Sequence, residues 1–322
     1  MKPITFIAML LCVAATNSFA QKYSATTLYR SNGREVFDMD SADYIQVVSA
    51  PDEGSNLFNV QQYYKDKTRK LIAKSKDRTD IAYEGQVQTF YPSGKKHELL
   101  TYVNGEKVGD DYEYYPNGKL YAHKKYLADK KNGTGDNVLL WDCRDSTGTV
   151  LATGGEGIYR VYANNFAFVF EEGPVKAGLK EGEWKGTNGD KTNNLTFTEQ
   201  YNNGVLKSGK AVYAAEGKTY DYTSRYQEAE YPGGETAFNR YIDNNVVYPA
   251  VMRANRTQAQ LIVQFSVLPD GSLSDFNIIH SPHYLFSEAA TKVLKSSPKW
   301  KPGYAFGKPM KVTNEVAVNF RL

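Results

Sequence analysis

The chain has 322 residues, 41% of them apolar, with 39 Lys and Arg against 36 Asp and Glu for a formal charge of +3. That length fits about two domains with packed cores. A charge so evenly balanced gives no sign of a nucleic-acid or polybasic membrane partner.

Lys2 precedes an apolar run, Ile4 to Ala15, broken only by Thr5, and Ser18-Phe19-Ala20 follows with small residues at the cleavage positions. The pattern predicts a cleaved export signal over residues 1–20, with Gln21 first in the mature chain. The run would span roughly 18 Å as a helix, against about 30 Å of membrane hydrocarbon. The expected location is therefore the periplasm or cell envelope. Cleavage removes Cys12 and leaves Cys143 alone, so no intramolecular disulfide is expected although the compartment permits one.

Residues 21–59 read as an N-terminal β segment, and residues 60–226 as hairpin repeats. Gly85 to Tyr102 and Gly109 to Tyr126 align at a shift of 24 residues, pairing Tyr91-Pro92-Ser93-Gly94-Lys95 with Tyr115-Pro116-Asn117-Gly118-Lys119. Tyr63-Tyr64-Lys65-Asp66 is a degenerate earlier copy. Gly178-x-x-x-Gly182-Glu183-Trp184-Lys185-Gly186 and Tyr201-Asn202-Asn203-Gly204 are irregular later ones. Each unit places Pro inside a turn, Gly at its left-handed position and aromatic strands on either side. One hairpin is marginal in water, and stacked copies share their faces. Most of the 25 tyrosines lie in this region.

Residues 227–322 change character, with Gln227 to Tyr231 as the expected linker. Ala237, Phe238, Tyr241 and Ile242 predict a short helix. Leu261, Val263, Phe265 and Val267 alternate with polar residues as a strand. Pro269-Asp270-Gly271 is a turn, and Leu273 to Ile279 returns as the second arm of a hairpin. Leu285, Phe286, Ala289, Ala290, Val293 and Leu294 form the stripe of a longer helix. Val316, Val318 and Phe320 alternate in a last strand. The order predicts an α+β domain, a three-stranded antiparallel sheet with helices on one face, after an all-β hairpin-repeat domain.

Catalytic and metal chemistry find no clear constellation. His280-Ser281-Pro282-His283 lacks neighbouring Cys or carboxylate ligands for zinc. Asp38-x-Asp40-x-x-Asp43 lacks the Gly and closing Glu of a calcium loop. Gly154-Gly155-Glu156-Gly157 misses the phosphate-binding spacings. No enzyme, cofactor or metal is expected.

The C-terminal segment resembles the TonB C-terminal domain of the energy transducer family in its Bacteroidota-type form. The likeness rests on Tyr231-Pro232-Gly233-Gly234-Glu235, Tyr248-Pro249, Val263-x-Phe265-x-Val267-x-x-Asp270-Gly271, Ala289-Ala290, Trp300-Lys301-Pro302-Gly303, Gly307-Lys308-Pro309-Met310-Lys311-Val312 and Asn319-Phe320-Arg321-Leu322. Ala259 departs from the Gly usual there. The middle of the chain is similar to MORN-variant repeats, which often carry an antitoxin-like label. The first resemblance implies binding of a peptide segment of a TonB-dependent outer-membrane receptor by β-strand addition, in support of transport. The implied edge is Val312, Thr313, Asn314, Glu315, Val316, Ala317, Val318, Asn319 and Phe320. Inner-membrane motor proteins are further implied partners, and a homodimer stays open. The alternative is a non-enzymatic repeat scaffold or antitoxin-like interaction protein that only borrows the TonB domain. The 12 prolines are scattered rather than gathered into a spacer, which favours a soluble relative over a membrane-spanning transducer.

Overall fold

The computed structural model describes residues 24–127, 138–189 and 194–322. The predicted export signal and the glycine-rich loop at Asn132–Gly135 lie outside the described residues. The chain forms two compact units: one runs to Lys130 and includes Arg144–Thr149, and the other holds Lys131–Cys143 and Val150–Leu322.

The first unit is an antiparallel meander of β1 (Ser24–Tyr29), β2 (Glu35–Val36), β3 (Tyr44–Ser49), β4 (Phe58–Tyr64), β5 (Arg69–Ser75), β6 (Gly85–Phe90), β7 (Lys96–Val103), β8 (Glu106–Tyr114) and β9 (Leu120–Tyr126). Val48, Val60, Leu71, Ala73, Val87 and Leu100 gather on one face as its apolar core.

One turn recurs along this unit. Tyr91 N donates to Lys95 O at 2.9 Å, and Gly94 N donates to Tyr91 O at 2.8 Å. The same two bonds close the turns at Tyr64–Thr68, Tyr115–Lys119 and Asp145–Thr149. The fourth residue has positive φ each time: Lys67 69°, Gly94 78°, Gly118 88° and Gly148 98°. This is the three-residue hairpin loop with a bulge, and it favours Gly at that position. Strand register shifts just before the Tyr64, Tyr91 and Tyr115 turns, as the bulge requires.

The turn tyrosines also bind one copy to the next. Tyr64 Oη donates to Phe90 O at 2.7 Å, Tyr91 Oη to Tyr114 O at 2.6 Å, and Tyr115 Oη to Arg144 O at 2.8 Å. Each acceptor is the carbonyl just before the next turn's first residue. The repeat of Tyr, Gly and Lys in the sequence thus encodes a ladder as well as a turn. Tyr91→Phe keeps the ring and deletes one rung, leaving the buried side of a carbonyl unpaired. We expect a loss of about 1 kcal/mol in urea denaturation. An unchanged midpoint would mean the rung contributes nothing.

In the second unit, β10 (Val138–Arg144, its last residue belonging to the first unit) precedes β11 (Val150–Thr153), β12 (Glu156–Ala163), β13 (Phe168–Lys176), β14 (Leu179–Lys180), β15 (Gly182–Thr187), β16 (Leu195–Asn202), β17 (Val205–Tyr213) and β18 (Lys218–Tyr222). β11 to β18 continue the antiparallel pairing. Trp184 is completely buried and its indole N–H donates to Pro174 O at 2.9 Å. The Cys143 side chain is fully buried.

The C-terminal segment comprises β19 (Tyr226–Gln227), α1 (Gly234–Asn245), α2 (Ala250–Ala254), β20 (Ala259–Val267), β21 (Leu273–His280), α3 (Tyr284–Lys295), β22 (Gly303–Ala305), β23 (Lys308–Met310) and β24 (Val312–Phe320). The expected three-stranded sheet is present, in the order β21-β20-β24. A second small sheet, β19-β22-β23, accompanies it. The first helix is not the shorter of the two: α1 and α3 both have 12 residues. α2 was not anticipated, because five residues are too few to show a helical period. The linker begins only after Gln227, which pairs with Tyr304.

The alternation in β20 works as expected: Leu261, Val263, Phe265 and Val267 are at most 1% exposed. Burying each stabilises the fold by about 1.5–3 kcal/mol. They pack with Phe286, Ala290, Val293 and Leu294 of α3, and with Phe238 and Ile242 of α1. The Asp270-Gly271 turn has a tertiary reason for glycine. Gly271 has φ 83°, Trp300 N donates to its carbonyl at 2.8 Å, and a Cβ there would fall 2.1 Å from Trp300 O.

The β22–β23 hairpin, legible in sequence only as an approach to the last strand, carries Phe306 into the repeat strands of the same unit. Phe306 and Gly307 have φ 47° and 74°, the pair of positive values a type I′ turn needs. The Phe306 ring lies 4.9 Å from Phe197 and 5.6 Å from Tyr222. Arg225 sits among Phe170, Phe197 and Phe306 at 5.0–5.8 Å from their ring centres. Its guanidinium donates to Glu199 through Nε at 2.7 Å and Nη2 at 2.5 Å, and also pairs with Glu171. Tyr222 and Tyr201 donate to the same Glu199 carboxylate at 2.7 and 2.9 Å, and Lys180 reaches Glu171 at 2.6 Å. Burial alone would raise Glu199, but the Arg225 guanidinium and the two phenols hold it below the usual range.

Candidate peptide-binding edge and groove

β24 pairs with β20 through nine successive residue pairs, Ala259 with Phe320 through Val267 with Val312, without a register shift. It pairs with no other strand among the described residues. All nine predicted site residues therefore lie on one edge of the sheet. Their side chains divide. Val312, Val316, Val318 and Phe320 are buried on the helix side, while Thr313, Glu315 and Ala317 are exposed on the other. The outer face carries polar cross-strand pairs, Gln264 to Glu315 and Gln260 to Asn319, both at 3.0 Å.

β21 is the other edge, and it differs in regularity. Its pairing with β20 shifts register twice, between Ile262 and Val263 and between Gln264 and Ser266. Asp275 there has φ 50° and pairs with Lys311 at 2.5 Å. Bulges and charges protect an edge from strand addition. β24 has an uninterrupted ladder, and each edge carries one formal charge, Asp275 on β21 and Glu315 on β24.

A groove of about 670 Å³ runs beside β24. Its second wall is α1, through Glu235, Asn239 and Asp243, and its floor is apolar, with Tyr231, Phe238, Ile242, Trp300 and Val316. The floor aromatics interlock: Phe238 lies 5.1 Å from Tyr231 and 4.8 Å from Trp300 between ring centres. Asn314 also lines the groove, and its Nδ2 is buried without a hydrogen-bond partner. A buried unpaired donor is costly until an acceptor arrives. The α1 wall was missed in sequence. Its spacing of i, i+3, i+4, i+7, i+8 was available, but the polar members give no apolar signal.

One histidine of the His280–His283 pair has a structural role. His283 caps α3, its Nδ1 accepting from Leu285 N at 3.2 Å. Asp38 and Asp43 serve as turn acceptors for Ser41 N and Ser31 N at 2.8 and 2.7 Å.

A carboxylate cluster that sequence reasoning missed lies in the first unit. Asp111 and Glu113 share one face of β8, and Glu98 of β7 lies directly opposite Glu113. One oxygen from each falls within 4.8 Å of the others. Asp111 is 0% exposed and neither carboxylate oxygen has a hydrogen-bond partner. Lys107 reaches Glu98 at 3.3 Å, and Lys124 reaches Glu113 at 2.5 Å. Burial, then the Glu98 and Glu113 charges, push the Asp111 carboxyl up to about 7, against the pull of Lys124 and Lys107. Oxygen ligands alone would suit a hard cation, but the two ammonium groups already leave the cluster only one positive charge short. A proton on Asp111 supplies it.

Residues 244–322 match the family model described as Gram-negative bacterial TonB protein C-terminal. The matched stretch takes in α2, α3 and β20 to β24, so the C-terminal segment is of the TonB C-terminal type. The solution structure of the Helicobacter pylori TonB-CTD is 21% identical, covering 28% of this chain and 86% of that one, with a TM-score of 0.22. A score that low carries no argument about arrangement. No curated protein matches the chain.

Proposed function

We propose that this is an exported, non-catalytic envelope protein that binds an extended segment of a TonB-dependent outer-membrane receptor as a further strand along β24. The observation that carries this reading is the contrast between the two edges: the pairing of β21 is interrupted by two register shifts, whereas β24 is regular and flanked by a groove. Strand addition draws affinity from backbone hydrogen bonds and specificity from alternate side chains. The TonB C-terminal match supports a binding role over an enzymatic one. The preceding strands are read as MORN-variant repeats that carry the domain, with residues 60–226 and 227–322 as separate domains.

Single Pro substitutions at each residue from Thr313 to Asn319, compared as two alternating registers, test the reading. Pro at an open edge deletes an outward N–H at little cost to the sheet, whereas Pro facing β20 breaks native pairing. One register is expected to melt nearly as wild type and to bind receptor N-terminal peptides at least tenfold more weakly, about 1.4 kcal/mol. Peptides that bind at submillimolar concentration and ignore every such Pro would place the docking edge elsewhere.

A further inference from the structure

We infer that the strand accepted by β24 is a cationic peptide with Lys or Arg at two positions four residues apart on its α1-facing side. This rests on the edge-addition reading above. The groove lining contains four carboxylates, Glu230, Glu235, Asp243 and Glu315, and no Lys, Arg or His. The whole chain, by contrast, carries a formal +3. The groove is therefore a local reversal of charge.

Two of the carboxylates are already engaged. Glu230 pairs with Lys301 at 2.9 Å, and Glu315 accepts from Gln264 at 3.0 Å. Glu235 and Asp243 are exposed and have no hydrogen-bond or ion-pair partner among the described residues. They stand two turns apart on one face of α1, with Asn239 between them. Eight helical residues rise about 12 Å. Four strand residues rise about 13 Å. Side chains at i and i+4 of an added strand thus match the two free carboxylates, and the residue at i+2 faces Asn239. The apolar floor beneath them, Phe238 and Ile242, accommodates the aliphatic stems of Lys or Arg.

The test uses the full chain and two acetylated, amidated peptides, TVKVTVKVT and TVEVTVEVT, which differ only at positions three and seven. Binding is measured by calorimetry at low salt. The Lys peptide is expected to bind about tenfold tighter than the Glu peptide, two exposed charge positions each contributing modestly. The preference should shrink below about twofold in the Glu235→Gln/Asp243→Asn variant, whose side chains keep their shape. Equal binding of the two peptides, or a preference that survives in the variant, overturns the charge assignment and leaves edge addition standing. If the Lys peptide binds but none of the β24 Pro variants weakens it, edge addition fails and this inference with it. Failure of both peptides to bind at submillimolar concentration overturns both.

Discussion

Asp111→Asn is expected to stabilise the protein at pH 8 and to do less than half as much at pH 5. The acid holds its proton up to about 7 in the folded chain, against an ordinary value of 3.8. The folded state therefore binds more protons than the unfolded state between those limits. Stability must fall as pH rises through that window and is fully reduced above about 7. A shift of roughly three units corresponds to on the order of 4 kcal/mol as an upper bound. Asn has the same shape, carries no charge, and brings donors toward Glu98 and Glu113. The variant should gain about 2–4 kcal/mol at pH 8 and lose most of the wild-type slope between pH 5 and 8. Denaturant titrations at the two pH values decide it. A variant less stable than wild type at pH 8 would show that the ionised carboxylate is needed there.

Arg225→Met is expected to produce a large loss. It leaves Glu171 and Glu199, 5% and 0% exposed, without their shared guanidinium. Removing one member of a buried ion pair typically costs about 3–5 kcal/mol. The native network is balanced: Glu171 and Glu199 face Arg225 and Lys180. Arg225→Met combined with Glu199→Gln should therefore recover much of the loss, since a neutral amide can still bond the two phenols. Urea unfolding followed by tryptophan fluorescence checks both variants. A cost below about 1 kcal/mol would demote the network to a surface-type pair.

These two clusters also show what local pattern can and cannot reveal. Strong periods were legible: β20 and β24 by alternation, α3 by its apolar stripe, the repeat turns by Tyr-Pro-x-Gly-Lys. Each depends on residues within one element. The groove depends on which strand lies at the end of the sheet, and strand order is not written in any one strand's alternation. Arg225 meets Glu199 across 26 residues and Glu171 across 54, beyond the reach of any spacing rule. Asp111 reads as one polar residue among Asp110, Glu113 and Lys124. Its burial is decided by neighbours on β7 and β9, while adjacent Asp110 faces the other way and bonds His123 at 2.6 Å. Phe306 stood in a turn-like Ala-Phe-Gly-Lys-Pro stretch, where an aromatic ring has no local partner to announce it.

The tyrosine ladder has a direction. Every rung has its hydroxyl on one turn and its acceptor on the following one, at Phe90, Tyr114 and Arg144. A turn can therefore be entered as acceptor and left as donor without altering its own hairpin. Asp145, which has no phenol to pass on, occupies the last acceptor's neighbouring position. A duplicated 24-residue unit inserted after Tyr91's turn would inherit both a phenol for the next copy and a carbonyl for the previous one. Lengthening or shortening the array by such a unit would keep a phenol-to-carbonyl joint at every remaining turn.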